Sequence, residues 1–123
     1  MIEHPRADEL VDAVAKWIDS IRPSLDTRDG FLARVAINVL GVVGRELTQG
    51  PAAQAAATHR LSTLLGMEGD LKALDLELCE RLRAGEMDAT TPSLLAVLKA
   101  NITDQIAIDQ PNYNPDPGPS AAR

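Results

Sequence analysis

Aromatic residues are nearly missing: Trp17, Phe31 and Tyr113 are the only three in 123 residues. Hydrophobic residues nevertheless make up 45% of the chain, so a core must be built from Leu, Val, Ile and Ala. That mix suits packed helices better than a β-sandwich, whose strands draw on aromatic and β-branched side chains. The same scarcity argues against modules that stack nucleic-acid bases on aromatic rings. Cysteine is scarcer still. Cys79 stands alone, which excludes an intramolecular disulfide. Basic charge is short as well: 12 Lys and Arg face 18 Asp and Glu, a formal net charge of −6. Phosphate backbones and anionic membranes are held by clustered Lys and Arg. No such cluster occurs, so neither nucleic acid nor a membrane is an expected partner. The longest apolar run, Phe31 to Gly44, is too short to span a bilayer and contains Arg34 and Asn38. The opening Met1-Ile2-Glu3-His4-Pro5 lacks the apolar run of a signal peptide. The expected compartment is the cytoplasm.

What is present reads as helix. The expected architecture is all-α, a compact bundle of about five helices in a single domain over residues 1–109. A Pro-rich tail over 110–123, with four prolines, is expected to be disordered after Tyr113. The first helix runs from about Pro5 to Ile21, with Leu10, Val14, Trp17, Ile18 and Ile21 on one face. The second starts near Asp26 or Thr27, either of which suits a cap, and stops at Gly50-Pro51. It is apolar almost all round between Phe31 and Leu47, which predicts a buried central helix. Arg34, Asn38, Gly41 and Arg45 form its one narrow polar stripe. Gly41 and Gly44 cost about 1 kcal/mol each against Ala. Close approach of a neighbouring helix, such as the alanine-rich third over Pro51 to Leu65, would offset that. The fourth helix is capped by Asp70 and stopped by Gly85, with Leu71, Leu74, Leu78 and Leu82 as core stripe and a Glu77–Arg81 pair outside. The fifth is announced by Thr91-Pro92, with Leu95, Leu98, Ile102 and Ile106 facing inward.

A search for chemistry finds little. His4 and His59 are the only histidines, and no Cys/His spacing suggests zinc. His59 is preceded three positions earlier by Ala56, so the Glu-x-x-His of a di-iron bundle is missing. Nucleophile elbow, phosphate loop and dinucleotide fingerprint are all lacking. No catalytic residue, metal ligand or cofactor is therefore assigned. Cys79, beside the leucine stripe, reads as a buried structural thiol, and His59 as a surface residue. The Arg34–Asn38 stripe has three readings. It is a solvent-exposed edge, or a structural contact in which Arg34 pairs with an acid such as Asp104, or a ligand site in which Arg holds a carboxylate or phosphate. The ligand-site residues are Arg34, Asn38, Arg45 and Asp104.

Several segments together carry a family resemblance. They are Ala7-Asp8-Glu9-Leu10, Phe31-Leu32-Ala33-Arg34-Val35-Ala36-Ile37-Asn38-Val39-Leu40, Arg45-Glu46-Leu47, Leu78-Cys79-Glu80-Arg81-Leu82-Arg83-Ala84-Gly85 and Ile106-Ala107-Ile108-Asp109-Gln110-Pro111-Asn112-Tyr113. The chain resembles a bacterial family classed as a domain of unknown function. Its members are encoded beside an aminoglycoside-phosphotransferase-like kinase and an acyl-CoA dehydrogenase. The resemblance implies a role in the same pathway, the breakdown of hydroxylated fatty acyl-CoA compounds, and supplies no catalytic residues. Arg34 and Asn38 sit at positions that recur in that family. Where the family pattern has Asn-Pro-x-Tyr, this chain has Gln110-Pro111-Asn112-Tyr113. The expected function is a non-enzymatic accessory module that binds the dehydrogenase or kinase-like partner, or self-associates. The alternative is a binding protein for an acyl-CoA or phosphorylated acid at the Arg34/Asn38 stripe.

Overall fold

The computed structural model describes residues 4–113, and among them there is helix and no strand. In chain order come α1 (Ala7–Ile21), a 3-10 turn (Arg22–Ser24), α2 (Thr27–Leu65), α3 (Leu71–Arg83) and α4 (Leu94–Asp109). The residues fall into two compact units that divide at Ala55/Ala56. The stretch after Tyr113, expected to be disordered, lies outside the described residues. Gln110–Tyr113 close α4 with a turn in which the Tyr113 amide donates to the Gln110 carbonyl at 2.9 Å.

In the first unit, α1 is amphipathic. Asp8 and Glu9 stand in its first turn, where carboxylates complement the helix dipole. Arg6 reaches both, at 3.1 and 3.0 Å, and Lys16 pairs with Asp12 one turn earlier at 2.7 Å. The opposite face carries Leu10, Val14 and Trp17, yet no residue of α1 is buried. Pro23 ends the helix within the 3-10 turn. Asp26 then caps α2: its carboxylate accepts the Asp29 amide at 2.7 Å, which selects Asp26 over Thr27 as the cap.

The expected second and third helices are one. α2 runs unbroken for 39 residues through Gly50 and Pro51, so there are four α-helices rather than five. Proline removes one amide donor and crowds the carbonyl four residues back, costing about 3 kcal/mol in a helix interior. Five alanines between 52 and 57, the strongest helix formers, directly follow it. Gly50 does not take the left-handed conformation of a helix stop; among described glycines only Gly66 and Gly85 do. An alanine segment continuous with α2 cannot fold back on the Gly41 side. What lies there is the Arg45 guanidinium, whose Nη1 is 3.1 Å from where a Gly41 Cβ would stand. The central-helix reading fails too. Between Phe31 and Leu47 only Ala33 is buried, while Phe31, Leu32, Val35, Val39, Val43 and Leu47 are exposed.

The core sits in the second unit. Leu61 and Leu65 of α2, Leu74 and Leu78 of α3, Met87 and Leu94 form one buried cluster, with Leu64, Met67, Leu71, Val97 and Leu98 packed against it. Gly66 ends α2 at φ +67°, its amide returning to the Ser62 carbonyl at 2.9 Å. Asp70 caps α3 by accepting the Ala73 amide at 2.8 Å. α3 closes in a Schellman pattern: Gly85, at φ +77°, donates to Leu82, and Glu86 to Arg81. The Glu77–Arg81 pair forms at 3.0 Å. Leu82 is exposed, however, and so is Cys79, which faces away from the Leu74–Leu78 side rather than joining the core. α4 begins two residues later than expected, because Thr91 serves a turn instead of a cap. Its hydroxyl accepts the Asp88 amide at 2.9 Å, while Asp88 accepts the Thr90 amide and hydroxyl. The buried residues of α4 are Leu94 and Ile108; Leu98 packs against the core as expected, while Leu95 and Ile102 are exposed. The helix is apolar on nearly every side, so its periodicity could not choose a face.

The continuity of α2 has a thermodynamic signature. Pro51→Ala is expected to stabilise the protein by up to about 3 kcal/mol, since it restores a helical hydrogen bond. Urea unfolding followed by circular dichroism checks this. A neutral or destabilising effect would mean that Pro51 opens a separate helix.

Candidate functional site

A groove of about 550 Å³ lies within the second unit, between α2 and the start of α4. α2 contributes His59, Arg60, Thr63 and Leu64. These positions fall at i, i+1, i+4 and i+5, one stripe of a helix. Leu61 and Leu65, rotated away from that stripe, enter the core. The other wall is Pro92, Ser93, Ala96, Val97 and Ala100. Ala96 and Ala100 are one turn apart and carry only a methyl group each, which leaves the groove its room.

Arg60 fixes the two walls to each other. Its Nη1 donates to Asn101 Oδ1 at 3.0 Å and to Asp104 Oδ2 at 2.9 Å. Arg60 is 31% exposed and Asp104 36%. Water reaches the pair, so its contribution is about 0.5–1 kcal/mol and not that of a buried bridge. Ser93 is the only described non-glycine residue with positive φ, at 70°, and its side chain makes no capping bond. Holding a serine there costs on the order of 1–2 kcal/mol. The Asp88–Thr91 turn stands just before it, and the Leu94 amide donates to the Thr91 carbonyl at 3.2 Å across it. The Thr90 hydroxyl and amide hold the Asp88 carboxyl below the usual carboxylate range.

The residues expected to form a ligand site are spread over both units. Arg34 and Asn38 are exposed on the first unit and make no hydrogen bond or ion pair among the described residues. Arg45 belongs to the same unit and lies over Gly41. Asp104 is in the second unit, and its partner is Arg60 rather than the Arg34 suggested by sequence. Arg60, Thr63 and Ser93 were not singled out from the sequence. The available signal was the polar pair Arg60 and Thr63 beside Leu61 and Leu65. His59 was considered and is exposed, as expected. No described group of three or more His, Cys, Asp or Glu could hold a metal ion. No described carboxylate hydrogen-bonds His59.

A family model described as a domain of unknown function, DUF6285, matches residues 23–113. The chain belongs to the DUF6285 family. The match takes in α2, α3, α4 and the groove, and it begins after α1. No curated protein and no solved structure matches this DUF6285 chain. No described helix is long and apolar enough to cross a membrane, α2 included.

Two measurements test this part of the DUF6285 domain. In a double-mutant cycle on Arg60→Gln and Asp104→Asn, the coupling from urea unfolding is expected to be about 0.5–1 kcal/mol. Zero coupling would show that the pair does not persist in solution. The lowered Asp88 pKa gives a second expectation. A carboxyl depressed in the folded state contributes stability above its unfolded pKa of about 3.9, and loses it as the pH falls through the folded value. The NMR titration midpoint of Asp88 is expected below that ordinary value, and Thr90→Ala should move it upward.

Proposed function

We propose that this protein is a non-catalytic interaction module that acts in the cytoplasm beside an acyl-CoA dehydrogenase and a phosphotransferase-like kinase, and docks on one of them. The observation that carries the reading is an uncovered apolar ridge on the first unit. Phe31, Val35, Val39, Val43 and Leu47 follow one another at i, i+4 steps, and each is 40–63% exposed. Such a row is the ridge with which one helix packs into the groove of another. Leu32 lies beside it, and Leu10, Val14 and Trp17 of α1 add a second apolar face. Together these nine residues expose on the order of 800 Å², about one side of a standard protein–protein interface. Scattered surface hydrophobics need no explanation, but a row of five does.

The identity of the enzymes comes from the family resemblance; the ridge speaks only for a protein partner. The test is co-purification of the chain with each enzyme encoded beside it, read by size-exclusion chromatography with light scattering. A stoichiometric complex that Val39→Glu abolishes, with helix content unchanged, is the expected result. Elution apart from both enzymes would overturn the reading, and a mass twice that of the chain would replace it with self-association.

A second reading keeps a small-molecule site at the Arg34/Asn38 stripe. It is favoured by the exposure of both side chains and by their want of partners among the described residues. An acyl-CoA or phosphorylated acid would then raise the melting temperature of the wild type and leave that of Arg34→Ala unchanged.

A further inference from the structure

The groove of the second unit carries an assignment that is independent of the apolar ridge. Three of its polar side chains are uncommitted: the His59 imidazole and the Thr63 and Ser93 hydroxyls make no hydrogen bond among the described residues. Arg60 spends one nitrogen, Nη1, on Asn101 and Asp104. Its Nε and Nη2 make no such bond, and that edge of a guanidinium matches the two oxygens of a carboxylate. No Asp or Glu lines the groove, and the nearest carboxylate partner, Asp104, is bonded to Arg60. The first turn of α4, which starts at the groove, holds no acidic residue to answer the partial positive charge of the helix end. The remaining lining is apolar or small: Leu64, Pro92, Val97 and the two alanines.

We propose that this groove binds a small monocarboxylate with a short apolar body. The carboxylate is received by the free edge of Arg60 and by the Thr63 or Ser93 hydroxyl, and the body rests on Leu64 and Val97. Charge sets the valence. Arg60 and Asp104 cancel, so the site offers donors and the helix end with little net positive charge. That suits a monoanion and disfavours a phosphate dianion on a chain of net charge −6. Size sets the body: about 550 Å³ falls in the range of small-molecule sites, roughly 300–1,000 Å³. Ser93 has its own part. A strained residue that makes no capping bond is accounted for when its hydroxyl serves a ligand.

The test compares benzoate, benzyl alcohol and benzylammonium, equal in ring and different in charge, by amide chemical-shift titration of the full chain. Benzoate is expected to give saturable shifts at His59, Thr63, Ser93 and Val97, with affinity at least about tenfold above the other two. Ala96→Leu fills the groove on a helix that tolerates leucine, and should abolish the shifts. Arg60→Lys keeps the charge, removes the two-nitrogen edge, and should weaken benzoate about tenfold. Equal affinity for the three probes would reduce the groove to an apolar patch and overturn the proposal. So would shifts that persist in Ala96→Leu, or no saturable shift with benzoate.

Discussion

The burial of Leu74, from which water is wholly excluded, is the contact on which the second unit depends. Around it stand Leu61 and Leu65 from α2, Leu78 from its own helix, Met87 from the following loop and Leu94 from the start of α4. Fully burying each such side chain is worth about 1.5–3 kcal/mol. None is aromatic, so the cluster draws on many aliphatic contacts in place of a few large ones. The groove depends on it because the same two turns of α2 that send Leu61 and Leu65 inward present His59, Arg60 and Thr63 to the neighbouring wall. Truncating a core leucine would therefore disturb the groove without touching a residue that lines it.

Helix punctuation makes this arrangement possible. Gly66 and Gly85 take left-handed conformations that other residues adopt at a cost, and each returns amides to the carbonyls of the helix it ends. Asp26 and Asp70 accept amides at the opposite ends. Ser93 departs from this economy. It is strained, uncapped and set at the rim of the groove between α2 and α4.

Much of this was legible in the sequence. The all-helical class, the helix end at Leu65, the stop at Gly85, the Asp70 cap and the Glu77–Arg81 pair follow from local chemistry, and the structure agrees. The misreadings share a cause: each needed a neighbour distant in sequence, or a weighing of opposed local signals. Gly50-Pro51 reads as a stop by position, yet the alanines beyond it continue the helix. α4 is apolar on so many sides that no period could show Leu94 and Ile108 as its buried residues. The acid at position 104 could be matched to a basic residue by charge alone, which offered Arg34; the spatial nearness of α2 and α4 makes Arg60 its partner instead. Cys79 was placed by its leucine neighbours, although a helix turns adjacent residues about 100° apart. The groove itself could not be read at all, because it is a space left by Ala96 and Ala100.

Trp17 is the only tryptophan in the chain, and it stands 62% exposed on α1. Its indole is solvated in the described chain, and it belongs to a different unit from the leucine cluster. Its emission is therefore a natural optical probe of whatever comes to cover the α1 face, with a shift toward the blue as water leaves the ring.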